Sequence, residues 1–161
     1  MLYRLLTREE SSEYRKIRLE SLKLFPENFR ANYDEMILKP KLLFEQFIEE
    51  ENERCFVVGA FEFERLIGII SFSDTNEYKL LNTGTFIQMY IKPDYQGKGL
   101  GLALTKSALQ KALAVKDIHS VVLEVKAPNL SATTTYQRAG FTILELPDKP
   151  NDFLVMTCST A

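Results

Sequence analysis

The stretch Met89-Tyr90-Ile91-Lys92-Pro93-Asp94-Tyr95-Gln96-Gly97-Lys98-Gly99-Leu100-Gly101-Leu102 carries the strongest signal in this chain. It closes a strand-like run, Thr85–Ile91, and opens a helical pattern from about Gly99 to Val115. In that pattern Leu102, Leu109 and Leu113 share a face, with Leu104, Ala108 and Ala112 beside it. Glycines at such a junction let successive backbone N–H groups turn toward one anion, and the helix N-terminus adds its positive dipole end. The segment reads as a phosphate or pyrophosphate site to which Lys98 can add a full charge, or as a tight turn and cap with no ligand. A Walker A spacing is absent, and a Gly-x-Gly-x-x-Gly fingerprint starting at Gly97 would need glycine where Leu102 stands.

Ser120–Val125 reads as a strand, Leu130–Ala139 as a helix, and Phe141–Leu146 and Phe153–Thr157 as closing strands. Toward the N-terminus, Tyr3–Thr7 is a short strand. Thr7 with Glu9 and Glu10 starts a helix that runs to Leu24 and is stopped by Pro26. Phe25, Phe29 and Tyr33 fall in a loop or irregular helix. Pro40 suits a first helical position before a second amphipathic helix with Leu42, Leu43, Phe44, Phe47 and Ile48. Cys55–Phe63 and Leu66–Phe72 form a hairpin about Glu64 and Arg65, and Asp74–Asn82 is a polar loop. The order β-α-α-β-β-β-α-β-α-β-β predicts one mixed α/β domain over residues 1–161, with a strand–helix–strand crossover in its middle.

A chain of 161 residues, 45% hydrophobic and 26% charged, suffices for a core without staples. The net charge of −2 gives no basic excess and points away from nucleic acid. No apolar run reaches the ~18 residues of a membrane span, and none near Met1 makes a signal-peptide core, so a cytoplasmic protein is expected. Cys55 and Cys158 read as buried thiols, and with one histidine, His119, there is no metal-ligand spacing. His119 reads as an exposed or cap residue. Neither cysteine belongs to a nucleophile arrangement.

Gln96-Gly97-Lys98-Gly99-Leu100-Gly101, after Ile91-Lys92-Pro93, resembles the acetyl-CoA signature of the GNAT superfamily of N-acetyltransferases. Asn129-Leu130-Ser131-Ala132-Thr133-Thr134-Thr135-Tyr136-Gln137-Arg138-Ala139-Gly140-Phe141 is similar to that family's Asn-x-x-Ala-x-x-x-Tyr-x-x-x-Gly-Phe element. The resemblance covers about Thr85–Phe141. Arg18-Leu19-Glu20-Ser21-Leu22 and Pro26-Glu27-Asn28-Phe29 also look like a subgroup of the family.

The resemblance implies a central twisted mixed sheet in which the strand ending near Ile91 and Ser120–Val125 run parallel and splay apart, flanked by helices. It implies acetyl-CoA as co-substrate and direct transfer to an amine in a ternary complex. Gln96–Gly101 would hold the pyrophosphate, and main-chain groups of Met89, Tyr90 and Ile91 the pantetheine arm. Asn129 and Ala132 would also meet the cofactor, although Asn129 equally suits a helix N-cap. Tyr136 is the expected general acid for the departing thiolate, its other reading being a tyrosine packed on the sheet. Relatives often carry a Glu base where this chain has Gln88, which takes no proton. Glu124 or Asp74 are substitutes, and a water chain or an amine arriving neutral are further routes. The missing Glu also leaves room for a non-catalytic acyl-CoA sensor. The acceptor, a small amine or a protein N-terminus or lysine, is not specified. Phe25, Phe29 and Tyr33 are candidates for its wall or for core. The loop Pro147–Asp152 either gates the cleft or only connects strands. Phe153–Thr157, read as an edge strand, leaves homodimer pairing open.

Overall fold

A computed structural model describes residues 1–160. Seven strands form one sheet in the order β1-β2-β3-β4-β5-β7-β6. They are β1 (Leu2–Leu5), β2 (Phe56–Glu62), β3 (Arg65–Ser73), β4 (Thr83–Ile91), β5 (Ser120–Lys126), β6 (Thr142–Ile143) and β7 (Phe153–Ser159). Every neighbouring pair is antiparallel except β4 and β5. A parallel pair needs a long crossover, and α4 (Leu100–Leu113) supplies it. The other helices are α1 (Ser11–Leu24), α2 (Tyr33–Met36), α3 (Leu43–Glu49) and α5 (Leu130–Arg138).

Both faces of the sheet are covered, which is why β2 and β3 are near-continuous apolar runs rather than alternating ones. On one face Phe72, Phe86, Ile91, Leu104 and Phe141 pack with α4 and α5. On the other, Tyr14, Ile17, Phe44, Ile48 and Tyr90 pack with α1 and α3.

β4 and β5 pair only from Thr83↔Ser120 to Phe86↔Leu123. Just beyond, β4 carries a bulge. Ile87 faces Ser71 and Tyr90 faces Ile69, so Gln88 and Met89 together oppose Ile70. Gln88 takes a left-handed φ of 64° to accommodate the extra residue. The bulge resets the strand's phase: Phe86 and Ile91 enter the same core although five residues apart, a spacing that alternation would place on opposite faces.

Several boundaries differ from the sequence reading. The Thr7 start belongs to a 3-10 turn, Arg8–Glu10, whose Glu10 carboxylate accepts the Thr7 N–H at 2.7 Å and is paired by Arg4 at 2.8 Å. Pro40 does not open α3. Glu45 accepts the Leu42 N–H at 3.0 Å and fixes that helix start at Leu43. The segment after Pro26 is ordered as a 3-10 turn and the single turn α2. The expected strand Phe141–Leu146 shrinks to β6. Phe153–Thr157 is not an edge: β5 covers one side of β7 along its length, and β6 with the Leu144 N–H covers Val155–Thr157 on the other.

Candidate active site

The divergence of β4 from β5 opens a cleft of ≈ 640 Å³. At one end lies the glycine loop, where Gln96, Gly97, Gly99, Leu100 and Gly101 line the wall. Gly97 and Gly99 have φ of 75° and 80°, and a Cβ on either would meet nothing within 4 Å. Glycine is required there by backbone conformation, not by space. Gly99 is the N-cap of α4 and no side chain caps that helix. Its first N–H groups and dipole end are therefore available to an anion. The Gln96 amide donates to the Ile91 carbonyl at 2.8 Å, bracing the loop against the end of β4. Lys98 is the member of the loop that does not line the cleft; its ammonium stands 5.7 Å from the Tyr95 ring centroid.

The bulge decides which main-chain groups face the gap. Just past the end of β4 the Lys92 N–H bonds the Ile67 carbonyl of β3, so by alternation Tyr90 also turns its main chain to β3. Met89 and Ile91 then turn theirs toward the β5 side, where pairing has ended at Leu123. With the Ile91 carbonyl held by Gln96, the Met89 N–H and carbonyl and the Ile91 N–H remain for a ligand. Tyr90, expected to offer its main chain, instead sends its side chain to the α1 face, where its hydroxyl donates to Glu20 at 2.7 Å.

The opposite wall comes from α5. Asn129 lines the cleft and also caps the helix, accepting the Ala132 N–H at 3.2 Å, so both readings of its position hold. Ala132 and Tyr136 follow along the same wall. The Tyr136 ring packs edge-on against Phe141 at 5.9 Å. Its hydroxyl has no hydrogen-bond partner among the described residues, and no buried side-chain polar atom in them is left unpaired. The phenol oxygen must therefore reach the cleft. Burial raises its pKa well above the usual phenol range, keeping it a neutral donor.

Glu124 is the first β5 residue past the last paired one, and it lines the cleft. Its carboxylate accepts from Arg30 at 2.6 Å and from the Tyr78 hydroxyl. Burial raises its pKa; Glu77 adds to the rise while Tyr78 and Arg30 oppose it. Gln88 lies at the bulge with its amide oxygen held by the Tyr14 hydroxyl at 2.5 Å and the Ser71 hydroxyl at 3.0 Å. Asp74 does not reach the cleft: it pairs with Arg54 at 2.6 Å beside a separate depression. Phe25 and Phe29 line the cleft, whereas Tyr33 lies outside it with Lys23 5.6 Å from its ring centroid. Pro147–Asp152 does not line the cleft and is tied back by Lys126–Asp152 at 2.9 Å and Lys149 to the Phe153 carbonyl at 3.1 Å. Arg30 and Tyr78, which hold Glu124, come from a segment read as a loop or irregular helix and from a polar loop, and nothing in their spacing signals it.

Comparison with known proteins gives a consistent picture. The family described as Acetyltransferase (GNAT) family matches residues 12–141. The spermidine N(1)-acetyltransferase of Vibrio cholerae serotype O1 is 29% identical over 99 residues, 62% of this chain and 55% of that protein. The chain thus spans about half the length of the first curated relatives it matches. An acetyltransferase of GNAT family from Streptococcus pneumoniae superposes with a TM-score of 0.80 at 21% identity, covering 99% of both chains. YncA of Salmonella typhimurium, solved with its cofactor acetyl-CoA, superposes with a TM-score of 0.75 at 17% identity, covering 99% of this chain and 93% of that one.

Proposed function

Because this chain belongs to the acetyltransferase (GNAT) family, we propose that it moves the acetyl group of acetyl-CoA directly to an amine in a ternary complex. The observation that carries this reading is the splay beyond Phe86↔Leu123, running from free main-chain groups of β4 to an uncapped helix N-terminus behind Gly97 and Gly99. The gap fits an extended amide arm that needs hydrogen-bond partners, and the loop fits a pyrophosphate.

In this reading Gln96–Gly101 hold the pyrophosphate and Met89, Ile91, Asn129 and Ala132 flank the arm. The amine lone pair attacks the thioester carbonyl carbon. The Met89 or Ile91 N–H stabilises the oxyanion that forms. The C–S bond then breaks, and the Tyr136 phenol gives its proton to the departing thiolate. Glu124, directly or through water, takes the proton released by the amine. Its raised pKa suits it to that exchange better than an ordinary surface carboxylate. The place of action is the cytoplasm, where acetyl-CoA is made and used.

The test is calorimetric titration with acetyl-CoA and, separately, ATP, followed by release of free CoA with an amine panel. Low-micromolar acetyl-CoA binding with CoA release is expected. Preference for ATP, or no acetyl-CoA binding, refutes the reading. Binding without CoA release from any amine favours instead a non-catalytic sensor, a reading that rests on Gln88 standing where a carboxylate base is usual in relatives.

A further inference from the structure

The carboxylate of Glu124 is gripped from two distant parts of the chain. Leu123 and Val125 belong to the cluster under α4 and α5, so Glu124 between them turns to the α1 face of the sheet, where it lines the cleft with its side chain 15% exposed. Arg30, from the stretch before α2, donates to Glu124 Oε2 at 2.6 Å. The Tyr78 hydroxyl, from the loop between β3 and β4, donates to the same oxygen. Oε1 accepts from no donor among the described residues, and it is not a buried unpaired atom. Two donors on one oxygen thus fix the carboxylate and leave its other oxygen unengaged.

Both donors are themselves held. Asn76 organises the loop that carries Tyr78. Its amide nitrogen donates to the Leu80 and Thr83 carbonyls, both at 2.9 Å, and its amide oxygen accepts the Tyr78 N–H at 3.1 Å and the Leu80 N–H at 2.9 Å. The Thr85 hydroxyl donates to the Thr75 carbonyl at 2.7 Å and ties the same loop to β4. The Arg30 guanidinium lies 4.8 Å from the Phe153 ring centroid, with Nη1 3.5 Å from Glu77. Glu77, on the Tyr78 loop, is the like charge near Glu124. Lys126, two residues along β5, is paired with Asp152 at 2.9 Å. Val155, the partner of Glu124 on β7, does not titrate, nor does Ile87, the β4 residue next past the last β4–β5 pair. Support of this kind suits a group that must meet a proton in one orientation, since a side chain left free to rotate has to be ordered anew in each turnover.

We propose that Tyr78 and Arg30 are positioning residues for the reaction, holding Glu124 by Oε2 so that Oε1 takes the proton released by the amine. This rests on the acetyl-transfer reading, in which Glu124 is the base, and adds to it a fixed orientation and the loop that supplies it. Both donors favour the charged carboxylate, the phenol by its hydrogen bond and the guanidinium by its charge, so removing either pushes the pKa of Glu124 further up.

The experiment follows free CoA across pH for wild type, Tyr78→Phe, Glu124→Gln and the double variant. The acceptor is the fastest of spermidine, phenethylamine, L-phenylalanine amide and an alanine-terminated peptide. Tyr78→Phe should lower kcat about 10-fold, less than the roughly 10²–10⁴-fold that a positioned base contributes, and leave KM for acetyl-CoA unchanged. The acid limb of its kcat/KM should move to higher pH. In the Glu124→Gln background Tyr78→Phe should cost no further kcat, because Tyr78 acts through Glu124. Arg30→Met should move the same limb in the same direction and Arg30→Lys should largely restore it, so the outcome does not hang on one variant folding. An acid limb that stays in place in both Tyr78→Phe and Arg30→Met, or an equal loss of kcat from Tyr78→Phe with and without Glu124, overturns the inference and leaves acetyl transfer standing. Acetyl-CoA bound with no amine turned over also overturns it. Loss of acetyl-CoA binding overturns the transfer reading as well.

Discussion

The same substitution made two residues apart in the glycine loop should have opposite signs. Gly99 sits at φ 80°, and its added methyl would meet nothing within 4 Å, so Gly99→Ala costs only backbone strain. Holding alanine in the left-handed region costs roughly 1–2 kcal/mol, offset by about 0.4–1 kcal/mol from the stiffer unfolded chain. The net is a loss of about 1 kcal/mol. Gly101 lies in the first turn of α4, where alanine gains roughly 0.5–1 kcal/mol over glycine. Its Cβ would stand 3.2 Å from Met89 Cε, the free end of a flexible side chain, and 3.7 Å from Thr135 Cγ2. A shift of a few tenths of an ångström relieves that contact, leaving Gly101→Ala about 0.5 kcal/mol more stable. The two variants should differ by about 1.5 kcal/mol in urea unfolding, or roughly 3–6 °C in Tm for a chain of this size. Calorimetry should show acetyl-CoA affinity weakened in Gly99→Ala, whose methyl enters the cleft space, and retained in Gly101→Ala. Equal destabilisation by both would refute the reasoning, since it would mean that the Met89 methyl has nowhere to go.

Tyr136→Phe should lower kcat by 10- to 1000-fold while acetyl-CoA affinity and urea midpoint stay near wild type, because the lost hydroxyl has no partner among the described residues; wild-type turnover would remove Tyr136 from the chemistry. Burial, reinforced by Glu77, holds Glu124 above the ordinary carboxylate range. The acid limb of kcat/KM should therefore lie above that range and disappear in Glu124→Gln. The stability contribution of Glu124 has its own sign: it is complete below the unfolded pKa and lost as pH rises through the raised folded one, so urea midpoints of wild type and Glu124→Gln should diverge across that window. Gly84→Ala should destabilise by about 1–3 kcal/mol or more, since its Cβ would lie 2.3 Å from the Phe72 ring and 2.7 Å from the Ser73 carbonyl; a near-wild-type urea midpoint would contradict the packing at the top of β4.

The order of elements was legible because periodicity and glycine punctuation are local properties. The glycine loop, the α4 pattern and the α5 segment needed no tertiary information. The bulge did not announce itself, since Phe86-Ile87-Gln88-Met89-Tyr90-Ile91 reads as an unbroken strand. Only Phe86 and Ile91 sharing one core, with Gln88 held by Tyr14 from α1, reveals the extra residue. Pro40 misled for a related reason: a good first-turn residue lost to the Glu45 cap of Leu42. Phe153–Thr157 looked like an edge because nothing local tells a strand how many neighbours it has.

The sheet divides the labour of the cleft. The residues proposed for the donor side, from α4 and α5, rest on one hydrophobic cluster, and those proposed for the acceptor side, from α1 and the turn after it, rest against the other. β2, β3 and β4 each contribute residues to both clusters. On the proposed reading, substitutions on α1 that retune which amine is accepted can accumulate without loosening the seat of acetyl-CoA. Such an architecture lets one co-substrate be kept while its recipients change, and Gln88, bridging Tyr14 to the bulge, is the point at which that independence ends.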